Sequence, residues 1–229
     1  IGKLVFKRTR IDILVTPTVV VAIGVYISFL IGPGISYIMD VCGKTIMTFT
    51  ELEPFWMGIL VSASVGIALT LPISSAAICA SIGLVGLAGG AALAGCCAQM
   101  IGFAVISYKD NGMGGLISQG LGTSMLQIGN IVRKPIIWLA PTLASAILGP
   151  VSTMWLKMTN NAAGAGMGTA GLVGPLGCWD TMAPTTDHGI LLAEIIGLYF
   201  IAPAVISLFF HAIMKRLGWV KDGDMKLQR

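Results

Sequence analysis

Met158 to Trp179 reads MTNNAAGAGMGTAGLVGPLGCW, 22 residues with no charge and six glycines. A straight helix of that length would reach roughly 33 Å, enough to cross a hydrocarbon core of about 30 Å. Glycine, however, costs about 1 kcal/mol per helical position relative to alanine, which argues against a plain spanning helix. Non-helical backbone persists at membrane depth only where protein or a water-filled cavity satisfies its peptide groups. The run is therefore expected to be a re-entrant loop lining a cavity. Close helix packing is the alternative, because glycine and alanine also let two membrane helices touch.

The remainder of the chain is as apolar as that reading requires. Of 229 residues 55% are hydrophobic and 10% charged, with a mean hydropathy of +0.89; soluble domains carry roughly 25% charged residues. Pro54 to Tyr108 contains 55 residues without a charge. These features predict an all-α, polytopic integral membrane protein surrounded by lipid. A net charge of +4 could suggest nucleic acid, but the basic residues cluster at the termini and in loops beside apolar segments, so no nucleic-acid partner is expected. Ile1 to Arg10 is too basic and too poor in apolar residues for a signal peptide, and a chain starting at Ile1 is expected to have lost earlier helices. The five cysteines show no metal-binding spacing, and neither metal nor cofactor is expected.

Outward from the glycine-rich run, Ile13 to about Met39 is expected to be a first crossing, kinked or ended by Pro33 and Gly34. Tyr37 to Glu53 would lie outside at the interface, and Pro54 to Ile73 would be the second crossing. Ser74 to Tyr108 reads as a hairpin of two crossings turning near Gly89 and Gly90, with a broken or partly re-entrant pair as the alternative. Asn111 to Val132, NGMGGLISQGLGTSMLQIGNIV, is a second uncharged run with six glycines and a second candidate re-entrant loop. Pro135 to Leu156 and Gly189 to Phe210 complete six crossings, with residues 213–229 as a cytoplasmic tail. With both termini cytoplasmic, twelve lysines and arginines fall inside and only Lys44 and Lys157 outside, the bias that membrane insertion favours.

The two runs share the pattern G-[LM]-G-T-[SA]-x-L, at Gly120 to Leu126 and at Gly166 to Leu172. Entering from opposite faces, they would meet near the midplane, the arrangement of transporters built from inverted halves. Their polar groups are uncharged: Gln119, Thr123, Ser124, Gln127 and Asn130 in the first, Asn160, Asn161 and Thr169 in the second, beside the exposed backbone of Gly166 and Gly168. Amides and hydroxyls suit a neutral, polyhydroxylated solute, because each sugar hydroxyl needs both a donor and an acceptor. They could equally bond one another. Glu194, six residues after His188 in the last crossing, is a costly carboxylate and so a further candidate for solute binding or proton transfer. Asp187 and His188 would frame an entrance. No nucleophile and base pairing or phosphate-binding loop is present, so no catalytic residue is assigned.

The segments LTLPISSAAICASIGLVGLAGGAALAGCCAQMIGFAV (Leu69 to Val105), GGLISQGLGTSMLQIGNI (Gly114 to Ile131), PTLASAILGP (Pro141 to Pro150) and GAGMGTAGLVGP (Gly164 to Pro175) resemble the phosphotransferase-system EIIC-like membrane proteins, including the group named for the perfringolysin regulator. The resemblance implies one EIIC-like transmembrane domain over residues 1–229, in a bacterial plasma membrane. It further implies a homodimer that translocates a sugar for phosphorylation by a separate EIIB protein. The Asn-x-Gly-Glu-Pro-type loop of other EIIC groups has no counterpart here, since Asn160 to Gly168 lacks a glutamate. A ligand-sensing membrane regulator without net transport is the alternative.

Overall fold

The computed structural model describes residues 12–227, and every named element among them is helical. The chain divides into two units, Ile1–Cys42 and Gly43–Arg229. Helix α1 (Asp12–Leu52) begins in the first, ends in the second, and bends by 54° between Phe29 and Ile31. Pro33 accounts for the bend, because a proline inside a helix lacks an N–H and its ring presses on the carbonyl four residues back, here Phe29. Pro33 therefore kinks the helix without ending it, and the stretch expected as a separate interfacial segment, Tyr37 to Glu53, is helical continuation as far as Leu52.

Helices α2 (Pro54–Thr70) and α3 (Ser75–Ser81) precede α4 (Gly86–Ile106). Helices α5 (Tyr108–Ile117) and α6 (Ile128–Arg133) lie between α4 and α7 (Pro135–Trp155). Helices α8 (Ala162–Ala165) and α9 (Val173–Met182) lie between α7 and α10 (His188–Arg216). Among the described residues α4, α7 and α10 are long and apolar enough to cross a membrane, three candidate spans, or four if the two halves of the bent α1 count as one span. Six crossings were expected. The difference arises in two places: α2, the expected second crossing, is a shorter apolar helix of 17 residues, and in the expected hairpin Gly89 and Gly90 lie inside α4, where the chain does not turn. A Cβ on Gly90 would sit 1.9 Å from the carbonyl oxygen of Met158, and one on Gly89 2.8 Å from that of Asn160. These glycines admit another backbone, the packing role that was the alternative reading of the glycine-rich run.

The contacts fix helix directions. On α2 and α4, Ser62 lies against Gly95 and Thr70 reaches Gln99, so the two run the same way. On α7 the order reverses, because Ser145 bonds the Gly95 carbonyl while Thr142 meets Gln99. Helix α10 runs with α4: Leu93 and Cys97 share an apolar cluster with Leu191 and Leu198, whereas Phe103 and Ile106 share one with Met214. Since α2 and α4 are parallel, α3 and its flanking turns carry the chain back between them.

Beyond Arg216 the expected tail is docked. Val220 and Met225 are both 2% exposed and complete the cluster of Phe103, Ile106, Ile131 and Met214. Asp110 accepts the N–H groups of Gly223 and Met225 at 2.9 and 3.1 Å, and Lys134 pairs with Asp224. Burial raises the Asp224 pKa, but the hydrogen bonds from Lys134 and from the Lys221 N–H, with their charges, outweigh it and hold the carboxyl below its ordinary 3.8. A carboxylate depressed in the folded state contributes fully above its unfolded pKa and is lost as pH falls through the folded value. Peptides covering 218–227 should therefore exchange amide hydrogens faster, after correction for intrinsic rates, only below about pH 3.8, and Asp224→Asn should remove that acid-dependent step.

Candidate functional site

The run from Asn111 to Val132 joins the end of α4 to the start of α7, and the run from Met158 to Trp179 joins the end of α7 to the start of α10. With α4 and α7 antiparallel, the two runs are rooted at opposite ends of the bundle. They meet. The Thr169 hydroxyl donates to the carbonyl of Gly120 at 2.5 Å and lies 3.7 Å from the Met100 sulfur. The second run enters through left-handed backbone at Lys157 (φ +46°), and Gly168 (φ +57°) brings it against Cys96 and Met100. A side chain at Gly168 would be strained and would stand 3.0 Å from both. The motif's two threonines are not equivalent, because Thr123 accepts the N–H of Met125 and caps the turn Ser124–Gln127.

Next to this contact lies a chain of uncharged hydrogen-bonding side chains. Ser124 shares a 2.9 Å hydrogen bond with Thr70, whose hydroxyl also reaches Gln99 Oε1 at 3.4 Å. Gln99 Oε1 accepts from Trp138 Nε1 at 3.0 Å, and Gln99 Nε2 donates to the Thr142 hydroxyl at 3.1 Å. Thr142 in turn donates to the Trp138 carbonyl. Thr70, Gln99, Ser124 and Thr169 are fully buried. The cluster ties α2, α4, α7 and the first run together at one level of the bundle, and no ionised group takes part in these bonds.

Of the residues expected to contact solute, Ser124, Gly168 and Thr169 lie at this junction. Gln119, Gln127 and Asn130 lead away from it: Gln127 donates to Gln119 Oε1 at 2.9 Å, Asn130 donates to Gln127 Oε1 at 2.8 Å, and Gln119 donates to Ser107. Asn161 caps α8 through the Gly164 N–H, and Asn160 bonds the Asn161 N–H and the Gly174 carbonyl. The Gly166 carbonyl accepts from Ser75. Asp187 caps α10, and the His188 ring lies tilted over Trp179 at 5.4 Å. Glu194 is half-buried and has no hydrogen bond or ion pair among the described residues. Its neighbours Leu191 and Ile195 pack in the apolar cluster that includes Leu93, Ala94, Cys97 and Ala98 of α4.

The sequence reading passed over Thr70, Gln99, Trp138 and Thr142. Gln99 carried a usable signal, being the one amide side chain in the uncharged stretch from Ser74 to Tyr108. A buried amide in an apolar helix has to find partners, and their residues can be sought on the helices around it.

A protein-family description, Phosphotransferase system, EIIC, matches residues 1–227. The chain belongs to the EIIC family. Neither the curated proteins nor the solved structures gave a match. As an EIIC protein it is a multi-pass membrane transporter component that works with an EIIB partner.

Proposed function

We propose that this EIIC protein moves a small, neutral, polyhydroxylated solute, a sugar, across a bacterial plasma membrane by way of the junction between its two glycine-rich runs. The observation that carries the proposal is the Thr169 to Gly120 hydrogen bond, which joins segments rooted at opposite ends of the bundle. The adjoining chain of Ser124, Thr70, Gln99 and Thr142 supports a neutral cargo, since it offers donors and acceptors without charge. In this proposal both runs are re-entrant, α1, α4, α7 and α10 cross, and α2 with α3 dips in and returns. Four crossings keep both termini cytoplasmic and preserve the sequence-based tally of twelve basic residues inside against two outside. Two copies form the working unit.

The test is uptake of labelled sugars into proteoliposomes holding the protein alone and with candidate EIIB partners. Uptake is expected with at least one sugar, and Thr169→Val, which keeps the shape and deletes the donor, should lower it at least tenfold. Saturable binding without flux in either setting would overturn transport and favour a ligand-sensing regulator.

A further inference from the structure

We propose that Lys221 to Leu227 is a latch that fastens the neck of the first glycine-rich run, so that this run moves only when the tail lets go. Gln119 and Gln127 stand on either side of Gly120 to Leu126, the part of the run that touches Thr169 and Thr70. The 2.9 Å bond between their side chains closes the neck of that loop. The neck is then fastened to the tail. The Met225 carbonyl accepts from Gln127 Nε2 at 3.0 Å and from Asn111 Nδ2 at 2.8 Å, and the Lys226 carbonyl accepts from Asn130 Nδ2 at 3.1 Å. Asn111 Oδ1 holds the Leu227 N–H at 2.8 Å, while Asp110 holds those of Gly223 and Met225. Side chains of the 110–134 segment thus bond the backbone of the tail, which turns at residues 222–225, on both its donor and acceptor sides.

Among the described residues of the tail two apolar anchors, Val220 and Met225, are buried, and of these Met225 lies inside the segment proposed to move. Clefts of about 740 and 470 Å³ flank the segment, the larger lined by Asp110, Asn111, Gly114, Ser118, Leu126 and Leu227 and the smaller by Asn130, Lys134 and Asp224 among others. Solvent therefore lies beside the outer bonds, those of Asn130 to Lys226 and of Asp110 to Gly223, while the bond from Gln127 to Met225 is buried. Fastening by several polar bonds and one buried side chain, with solvent alongside, suits a contact made and broken repeatedly more than a permanent core.

The latch rests on the proposed function only in supposing that the first run moves during transport, and its test needs no solute. Hydrogen exchange is measured on the full chain and on a chain ending at Val220. Peptides covering 118–130 should exchange at least tenfold faster in the shortened protein, with those of Ala92 to Ala104 unchanged. Should truncation impair folding, Asp110→Asn with Asn111→Ala in the full chain tests the same bonds. Equal exchange at 118–130 in a folded variant whose tail is shown to be released would overturn the latch. As the converse arm, Asn130→Cys and Lys226→Cys are joined by a reducible methanethiosulfonate bridge in a Cys42→Ser background. Bridging should slow exchange at 118–130 and reduction should restore it; no change on bridging would also overturn the latch. Failure of the transport reading would appear separately, as absent sugar flux in every variant whatever the exchange result.

Discussion

Gly95→Ala should cost roughly 3 kcal/mol or more of stability, a large share of the 5–15 kcal/mol that holds a typical folded domain. A Cβ at position 95 would stand 1.8 Å from the carbonyl oxygen of Ser62 and 2.5 Å from its carbon, in the backbone of α2. Both atoms belong to a helix, so neither can rotate aside as a side-chain tip would. Relief requires α2 and α4 to separate by more than an ångström. That movement is opposed on three sides: Gly66 lies against the Gly95 carbonyl, Ser145 bonds the same carbonyl at 3.2 Å, and Ser62 is tied to the Ser145 carbonyl at 2.7 Å. The measurement is thermal unfolding of the purified protein with the yield of monodisperse material. Gly129→Ala is the control, because nothing lies within 4 Å of a Cβ there; it should stay within about 0.5 kcal/mol of the parent. A Gly95→Ala protein melting with the parent would mean that the close approach of α2 and α4 is absent in solution.

Gln99→Leu should destabilise by about 2 kcal/mol and, beyond that, lower solute binding or uptake at least tenfold. The residue accepts from Trp138 Nε1 and Thr70 and donates to Thr142, all inside the bundle. Leucine fills much of the volume but leaves the Trp138 N–H without its acceptor, and orphaning a buried donor costs about 1–3 kcal/mol. Hydrogen bonds between membrane helices are often worth less than that, about 0.6 kcal/mol on average, which sets the lower end of the expectation. Thr142 and Thr70 keep other partners, the Trp138 carbonyl and Ser124, so their share is smaller. Thermal unfolding and sugar uptake on the same preparations separate two roles. A purely structural Gln99 would lower uptake only in proportion to the folded fraction, whereas a residue that meets solute would lower it at full folding.

The all-helical membrane architecture was legible because charge-free runs of this length have few other homes. The kinship of the two glycine-rich runs was also visible, as a seven-residue pattern repeated about 46 positions apart. What each glycine does was not legible. Gly89 and Gly90 look like a turn until the Met158 and Asn160 carbonyls, some 70 residues on, are found against them. At Pro33 the sequence left a kink and a helix end equally open, because both begin with the same missing N–H. Gln119, Gln127 and Asn130 were recognised as hydrogen-bonding groups, but two of them bond tail carbonyls nearly a hundred residues away, and no local rule supplies that address. Gln99 failed for a different reason. One amide among 35 residues looks minor by composition, although burial makes it a hub.

Under the proposed transport function, the contact between Thr169 and Gly120 also bears on how thick the partition between the two sides of the molecule is. Each of those residues would be tethered to its own side, and one hydrogen bond would join the two. Access could pass from one side to the other through displacements of a few ångströms, with the helical frame staying where it is. The same thinness makes the wall vulnerable: a solute that competes for the Gly120 carbonyl would remove the seal itself.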